Sequence, residues 1–232
     1  MTNHIRAILW KQIKDTVKNK TILIQFLMFP LLTIIMENAV SIQDLPRHFF
    51  TNLFAIMYVG MAPLTSAAAI ISEEKEKNTL RVLQMCNVRA GEYLMGNAIY
   101  VVCICMVGSL VMGIAGGYGG KDLLLFLLVM FVGHCCSFLL GAAAGVFSKN
   151  QMMATSITVP IMLVLAFLPM LSMFNDTIGK LAKYIFTQQL FLLISDLQNL
   201  KITGETGCIL ACNILLILIF FFAIYKKTFR NK

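Results

Sequence analysis

Six apolar runs free of Asp, Glu, Lys and Arg divide this 232-residue chain and leave it few ways to fold. They lie at residues 21–36, 49–71, 93–120, 123–147, 152–174 and 206–225. A helix crossing a bilayer needs roughly 17–25 such residues, and each run supplies them, the first only just. A water-soluble globule is excluded by the same pattern. The chain is 59% hydrophobic and 13% charged, against about 45–50% and about 25% in soluble domains. Folded in water it would expose apolar area far beyond the few hundred Å² that monomers tolerate, and disorder requires the opposite composition. The expected fold class is all-α, a polytopic membrane protein in one domain over 1–232. The segments between spans are too short for a separate catalytic domain. Pro30, Pro63, Pro160 and Pro169 fall inside the runs and predict kinks rather than ends, because neighbouring helices satisfy the freed carbonyls.

The distribution of basic residues predicts orientation. Fourteen of the 19 Lys and Arg lie before the first run, between the second and third, between the fourth and fifth, or after the sixth. By the positive-inside rule that side is the cytosol, with both termini there. Within residues 1–20, Ile5, Ile8, Leu9, Gln12, Ile13, Thr16 and Val17 share one side of a helix, opposite Lys11, Lys14 and Lys18. That pattern predicts an interfacial helix with its apolar side in lipid rather than a cleaved signal peptide. The stretch 176–203 is too short in its apolar part to cross. Interrupted by Gln188 and Gln189, it predicts one or two amphipathic helices at, or dipping into, the outer surface.

What the runs lack excludes whole classes of function. Glu37 and Glu92 fall at run ends, and no carboxylate or cation lies deep within any run, so ion-coupled carriage lacks its usual binding groups. His134 reads as a hydrogen-bonded structural residue. No HExxH, GxSxG or facing carboxylate pair is present. The run GIAGGYGGKD at 113–122 has Ala115 and Asp122 where a P-loop needs Gly and Ser or Thr. Its glycines, Gly113 and Gly117, and the pair Gly141 and Gly145 stand at the GxxxG spacing of close helix packing. The seven cysteines sit mostly in apolar runs, as small packing residues. The HCC sequence at 134–136 has no second cluster to complete a metal site. The charge of +8 clusters beside apolar runs and suits anionic lipid rather than nucleic acid.

One internal segment is charged: SEEKEKNTLRVLQMCNVRAGEYLMGN, residues 72–97. Asn78 or Thr79 suits the cap of a helix starting at Leu80. Leu80, Leu83, Gln84 and Asn87 share one face, and Val82, Met85 and Cys86 another, so the helix can pack on the bundle and on a partner together.

At these residues the sequence resembles the permease subunit of ATP-binding-cassette exporters of the second type, with Glu74, Thr79, Leu80, Leu83, Arg89, Leu94 and Gly96 on the motif. Asn78 replaces the usual glycine, Cys86 and Asn87 stand where proline is common, and Asn97 replaces a frequent lysine. The resemblance implies an elbow helix at 1–20 and a coupling helix at 73–89 between spans two and three, docking on a separate ATPase. Glu73, Glu74 and Arg81 would be rim charges and Leu80 and Leu83 the apolar anchor, with Lys77, Thr79, Gln84 and Arg89 in the same contact. A second contact would lie at Ser148 to Gln151. It further implies no cofactor in this chain, ATP and Mg being bound by the ATPase, and a second permease copy, identical or different. The 15 Met and 17 Phe suit an amphipathic or lipid-like cargo, and the resemblance implies a peptide, because small permeases of this kind commonly export antimicrobial or toxin-like peptides. Frequent Ile, Lys and Asn suggest an AT-rich bacterial genome, hence a bacterial plasma membrane. A stand-alone channel or carrier, and a non-transporting immunity protein, are the alternatives.

Overall fold

Apolar runs of this length fold as helices because in lipid only helices or closed barrels satisfy every backbone group. A computed structural model describes residues 2–40, 46–197 and 204–230, excluding the side chains of Thr2, Asn3, Thr21, Gln84 and residues 228–230. Ten helices make up the described chain. An interfacial-length helix α1 (Thr2–Lys18) comes first. Six helices are long and apolar enough to span a membrane: α2 (Lys20–Ala39), α3 (Phe49–Glu76), α5 (Ala90–Ala115), α6 (Gly120–Phe147), α7 (Gln151–Ser172) and α10 (Gly204–Arg230). Three short helices join them: α4 (Thr79–Met85), α8 (Asp176–Ala182) and α9 (Phe186–Ser195). Pro30, Pro63, Pro160 and Pro169 all lie within continuous helices.

The centre of the bundle is α3, which packs against α2, α5, α6, α7 and α9. Of its most apolar 18-residue stretch 78% is buried, against 6% for α10, which leans on α6 and α9 from outside. The sequence of α3 explains its place. Gly60, Ala62, Ser66, Ala67 and Ala68 carry little bulk, so neighbouring backbones approach closely. A Cβ on Gly60 would stand 2.9 Å from the Ala166 nitrogen of α7, and one on Gly145 would stand 3.1 Å from the Ala68 carbonyl oxygen. On Gly141 a Cβ would overlap the Leu64 carbonyl oxygen. The spacing of Gly141 and Gly145 therefore serves the α3–α6 seam within the chain.

Gly113 and Gly117 divide. Gly113 meets Leu123 and Phe126 of α6. Gly117, expected on the same packing face, lies beyond the helix instead, at φ +76° with nothing closer than His48. It is the left-handed residue that ends α5: the Tyr118 N–H donates to Gly113 O at 3.0 Å and the Gly117 N–H to Ile114 O at 3.0 Å. This is the usual closure of a helix by glycine. At the same end the Glu37 carboxylate accepts from the backbone N–H and hydroxyl of Thr51 at 2.9 and 2.6 Å, tying α2 to α3. The Tyr118 hydroxyl donates to Asn52 at 2.6 Å.

One expectation changes. The helix α1 does not turn its whole apolar side to lipid. Ile8, Gln12 and Thr16 are buried, Ile8 against Gly96 of α5, and Tyr100 donates to Thr16 at 2.5 Å. Trp10, Ile13 and Val17 remain exposed. The stretch 176–203 holds two short helices, its residues 198–203 lying outside the description. Of these α9 is inserted among α3, α6, α7 and α10, with Phe186, Leu190 and Ile194 buried. Leu190 reaches Gly133, midway along α6. Its glutamines enter because each is bonded: Gln188 accepts from Ser172 at 3.0 Å, and Gln189 donates to Lys183 O at 2.5 Å. His134 is fully buried, 2.8 Å from Ser109 and edge-on to the Tyr58 ring.

The two glycine positions predict opposite severities. Gly141→Val drives a side chain into the backbone of α3, so this variant is expected to lose its monodisperse peak in size-exclusion chromatography. Gly117→Ala, a left-handed residue in open space, costs roughly 1–2 kcal/mol and should only lower the thermal unfolding temperature.

Candidate functional site

Length decides where the charged residues of α3 stand. Its 28 residues span about 42 Å at 1.5 Å per residue, more than the hydrocarbon core of about 30 Å. The final turn, Glu73 to Glu76, therefore projects past the apolar bundle as a continuation of α3. The single helix expected over 73–89 is thus two elements, because the chain reverses at Lys77 and Asn78. Asn78 has φ +58°, the left-handed conformation that glycine adopts freely and asparagine tolerates best among the other residues. Asn87, at φ +58°, closes α4 in the same way, with the Val88 N–H on Leu83 O at 3.1 Å.

Three consecutive side chains of that turn grip three different elements. Glu74 is buried and accepts from the Lys11 ammonium and, at 2.9 Å, from the Gln12 amide of α1. The Lys75 ammonium donates to the carbonyl oxygens of Val146 and Ser148, at 2.6 and 2.5 Å, which end α6. Cations suit such a terminus because the last carbonyls have no intrahelical partner and carry the negative end of the helix dipole. Glu76 accepts from the Gln151 N–H at 3.0 Å, at the positive start of α7. Glu73 pairs with Lys77 at 2.5 Å. On the other flank, Glu92 accepts from the Arg89 N–H at 3.1 Å and lies 3.0 Å from His4 of α1.

The expected contact residues thus have unequal surroundings. Arg81, Lys77 and Arg89 are exposed, and Glu73 and Thr79 half-buried. Glu74 is turned inward and is no rim charge: a carboxylate at this depth needs the Lys11 and Gln12 donors. Leu80 and Leu83 also face inward, packed against the core of the bundle. Val82 and Met85 are 57% and 72% exposed, with Cys86 exposed beside them. The outward apolar residues of α4 are therefore Val82 and Met85, while Leu80 and Leu83, expected to form the outward anchor, face the bundle. The split follows from helical spacing, since 80 and 83 share a side that 82 and 85 do not. Gln84 has its side chain outside the description. Ser148 is buried while Lys149 and Asn150 are exposed, and the Asn150 side chain caps α7 through the Met153 N–H at 2.9 Å.

Burial pulls the Lys11 ammonium down, but the hydrogen bond and charge of Glu74, with Asp15 at 3.3 Å, outweigh it and hold the group above the ordinary lysine range. A raised cation pKa stabilises the fold at every pH below the unfolded value of 10.5, and that stabilisation fades as pH rises through the folded value. Lys11→Met should thus lower stability at pH 7 by about 2–3 kcal/mol, reduced from the cost of opening a fully buried pair because Lys11 is partly solvated. Unfolding temperatures of variant and wild type should converge only above about pH 10.5.

A short charged turn that binds α1, α6 and α7 together, followed by a two-turn helix with one face free, is a built mechanical junction at one end of an apolar bundle. No curated protein matches the chain. The family model described as "ABC-2 family transporter protein" matches residues 3–226, nearly the whole chain. The chain belongs to the ABC-2 family, as a multi-pass permease subunit of an ATP-binding-cassette transporter.

Proposed function

We propose that this permease moves an amphipathic, peptide-like substrate out of a bacterial cell, driven by ATP hydrolysis on a separate cytoplasmic ATPase that grips α4. The observation that carries the reading is the two-sidedness of α4. Leu80 and Leu83 root it in the bundle while Val82, Met85 and Arg81 are presented outward at its exposed face. Side by side at a charged turn, the exposed Val82 and Met85 offer a partner an apolar contact rimmed by charge. In this reading Val82 and Met85 are the anchor, and Arg81, Glu73 and Lys77 the rim. The loop between α6 and α7, with Lys149 and Asn150 exposed, is the second, smaller contact.

The junction gives the mechanism its lever. A displacement of α4 acts on the Lys77–Asn78 turn and so on the end of α3. From there Glu74 carries it to α1, and Lys75 and Glu76 carry it to α6 and α7. Because α3 is the buried axis of the bundle, the spans move together. ATP and Mg belong to the ATPase in this scheme, and this chain supplies path and lever. Two permease copies, identical or different, enclose the path, and both termini lie in the cytosol. The absence of charge deep within the spans suits an apolar or amphipathic cargo rather than an ion, and a methionine-rich surface adapts to varied peptides.

Co-purification with the cognate ATPase tests the docking face. Val82→Asp with Met85→Asp should reduce capture at least about tenfold while leaving the thermal unfolding temperature unchanged, because both side chains are exposed. Leu83→Asp should instead lower the unfolding temperature. Undiminished capture by the Val82 and Met85 double variant overturns the assignment. Sidedness has its own test: in a variant whose only cysteine is Cys86, a membrane-impermeant maleimide should label permeabilised cells and spare intact ones.

A further inference from the structure

Beside the Lys11–Glu74 pair lies a cavity of about 590 Å³. The second half of α1, the start of α2 and the last turn of α3 enclose it, with Thr79 at the rim. Its apolar lining is Ile22 and Ile70. Ile22 opens the apolar stretch of α2, and Ile70 stands one turn before the charged end of α3. The cavity therefore straddles the level at which the apolar bundle gives way to charge, which in a bilayer is the depth of lipid phosphates.

Its electrostatics are unbalanced after internal pairing. All three carboxylates in the wall have a cationic partner, Glu74 and Asp15 sharing Lys11 and Glu73 pairing with Lys77, so this set keeps one negative charge in excess and the whole wall one positive charge. Two further ammonium groups in the wall, Lys18 and Lys20, are exposed and make no ion pair among the described residues. They flank Asn19, the N-cap of α2, whose first turn contains no acidic residue. The first N–H groups of a helix lack intrahelical partners, and its N-terminus carries the positive end of the dipole. Two unpaired cations, a helix start and an apolar lining thus meet in one concavity within the usual range of small-molecule sites, about 300–1,000 Å³.

We propose that this cavity binds a phosphate group, that of an anionic phospholipid. Lys18, Lys20 and the start of α2 take the phosphate, and Ile22 and Ile70 take the glycerol and first acyl carbons. Bound there, the lipid touches α1, α2 and α3 at once and braces the lever against the bundle. The inference rests on the bundle lying in a membrane and not on what docks at α4, so ATPase capture and lipid retention can fail independently.

The test is native mass spectrometry of the full chain released from nanodiscs of mixed phosphatidylcholine and phosphatidylglycerol. The wild type should retain phosphatidylglycerol preferentially. K18Q/K20Q should lower that retention on the order of tenfold, two lysines near a headgroup being worth at least that, and K18R/K20R should keep it. K149Q/K227Q removes two exposed lysines at the same end but outside the cavity and should leave retention unchanged. Equal losses in K18Q/K20Q and K149Q/K227Q, or no preference in the wild type, overturn the proposal. Matching unfolding temperatures of wild type and K18Q/K20Q in pure phosphatidylcholine nanodiscs establish that the loss is one of binding. If K18Q/K20Q does not fold, the single variants K18Q and K20Q must each show a smaller drop, and no drop in either overturns the site. In pure phosphatidylcholine nanodiscs, inorganic phosphate alone distinguishes the source. Stabilisation by millimolar phosphate, with no preference for phosphatidylglycerol, would assign the cavity to free phosphate and overturn the lipid.

Discussion

The last turn of α3 has to solve an electrostatic problem before anything else at this end of the bundle can be built. Four charged residues, Glu73 to Glu76, close a buried apolar helix, and three of them meet neighbouring helices. Glu74 is buried, so its charge survives only through the donors brought by α1. Lys75 and Glu76 have opposite signs and find helix ends of opposite polarity, the carbonyls of α6 and the first N–H groups of α7. Exchanging the two residues would place each against a like partial charge. The order of charges along one turn thus fixes which helices can meet there.

This constraint accounts for much of the architecture. A span that carries three such contacts must be central, and α3 is, because its small residues let α6 and α7 approach to backbone distance. It must also be long, since the gripping turn lies outside the apolar layer while Asn52 and Thr51 are bonded at the far end. By contrast α10 keeps an exposed apolar face, as expected of a helix whose main neighbour is lipid. Rigidity at one end and adaptable packing elsewhere are what an externally driven transporter requires.

The spans were legible in the sequence because lipid imposes a one-dimensional rule: enough consecutive apolar residues make a helix, whatever else the fold does. Boundaries moved by a few residues where charged or glycine ends extended a helix, as at Gly120 and Glu76. What the sequence could not supply was which side of an amphipathic helix meets protein. Both faces of α4 are apolar, and only the packing of Leu80 and Leu83 against the bundle shows that Val82 and Met85 are the outward pair. The same ambiguity hid Glu74, whose neighbours Glu73 and Glu76 look identical in composition but point elsewhere on the turn. Gly117 was assigned to a packing face by spacing alone, though a left-handed closure and a GxxxG contact call for the same residue. The insertion of α9 was masked by its two glutamines, which read as polar until Ser172 and the Lys183 carbonyl are seen to satisfy them.

Asn78 shows how a departure from a family pattern can preserve its physics. The turn between α3 and α4 needs one residue at positive φ, and glycine is the residue that takes it without strain. Asparagine occupies the same conformation at φ +58° with a small penalty. In return asparagine has fewer accessible backbone states than glycine in the unfolded chain, so less entropy is lost when this turn forms. The substitution therefore keeps the backbone path of the turn and lowers the entropic cost of forming it.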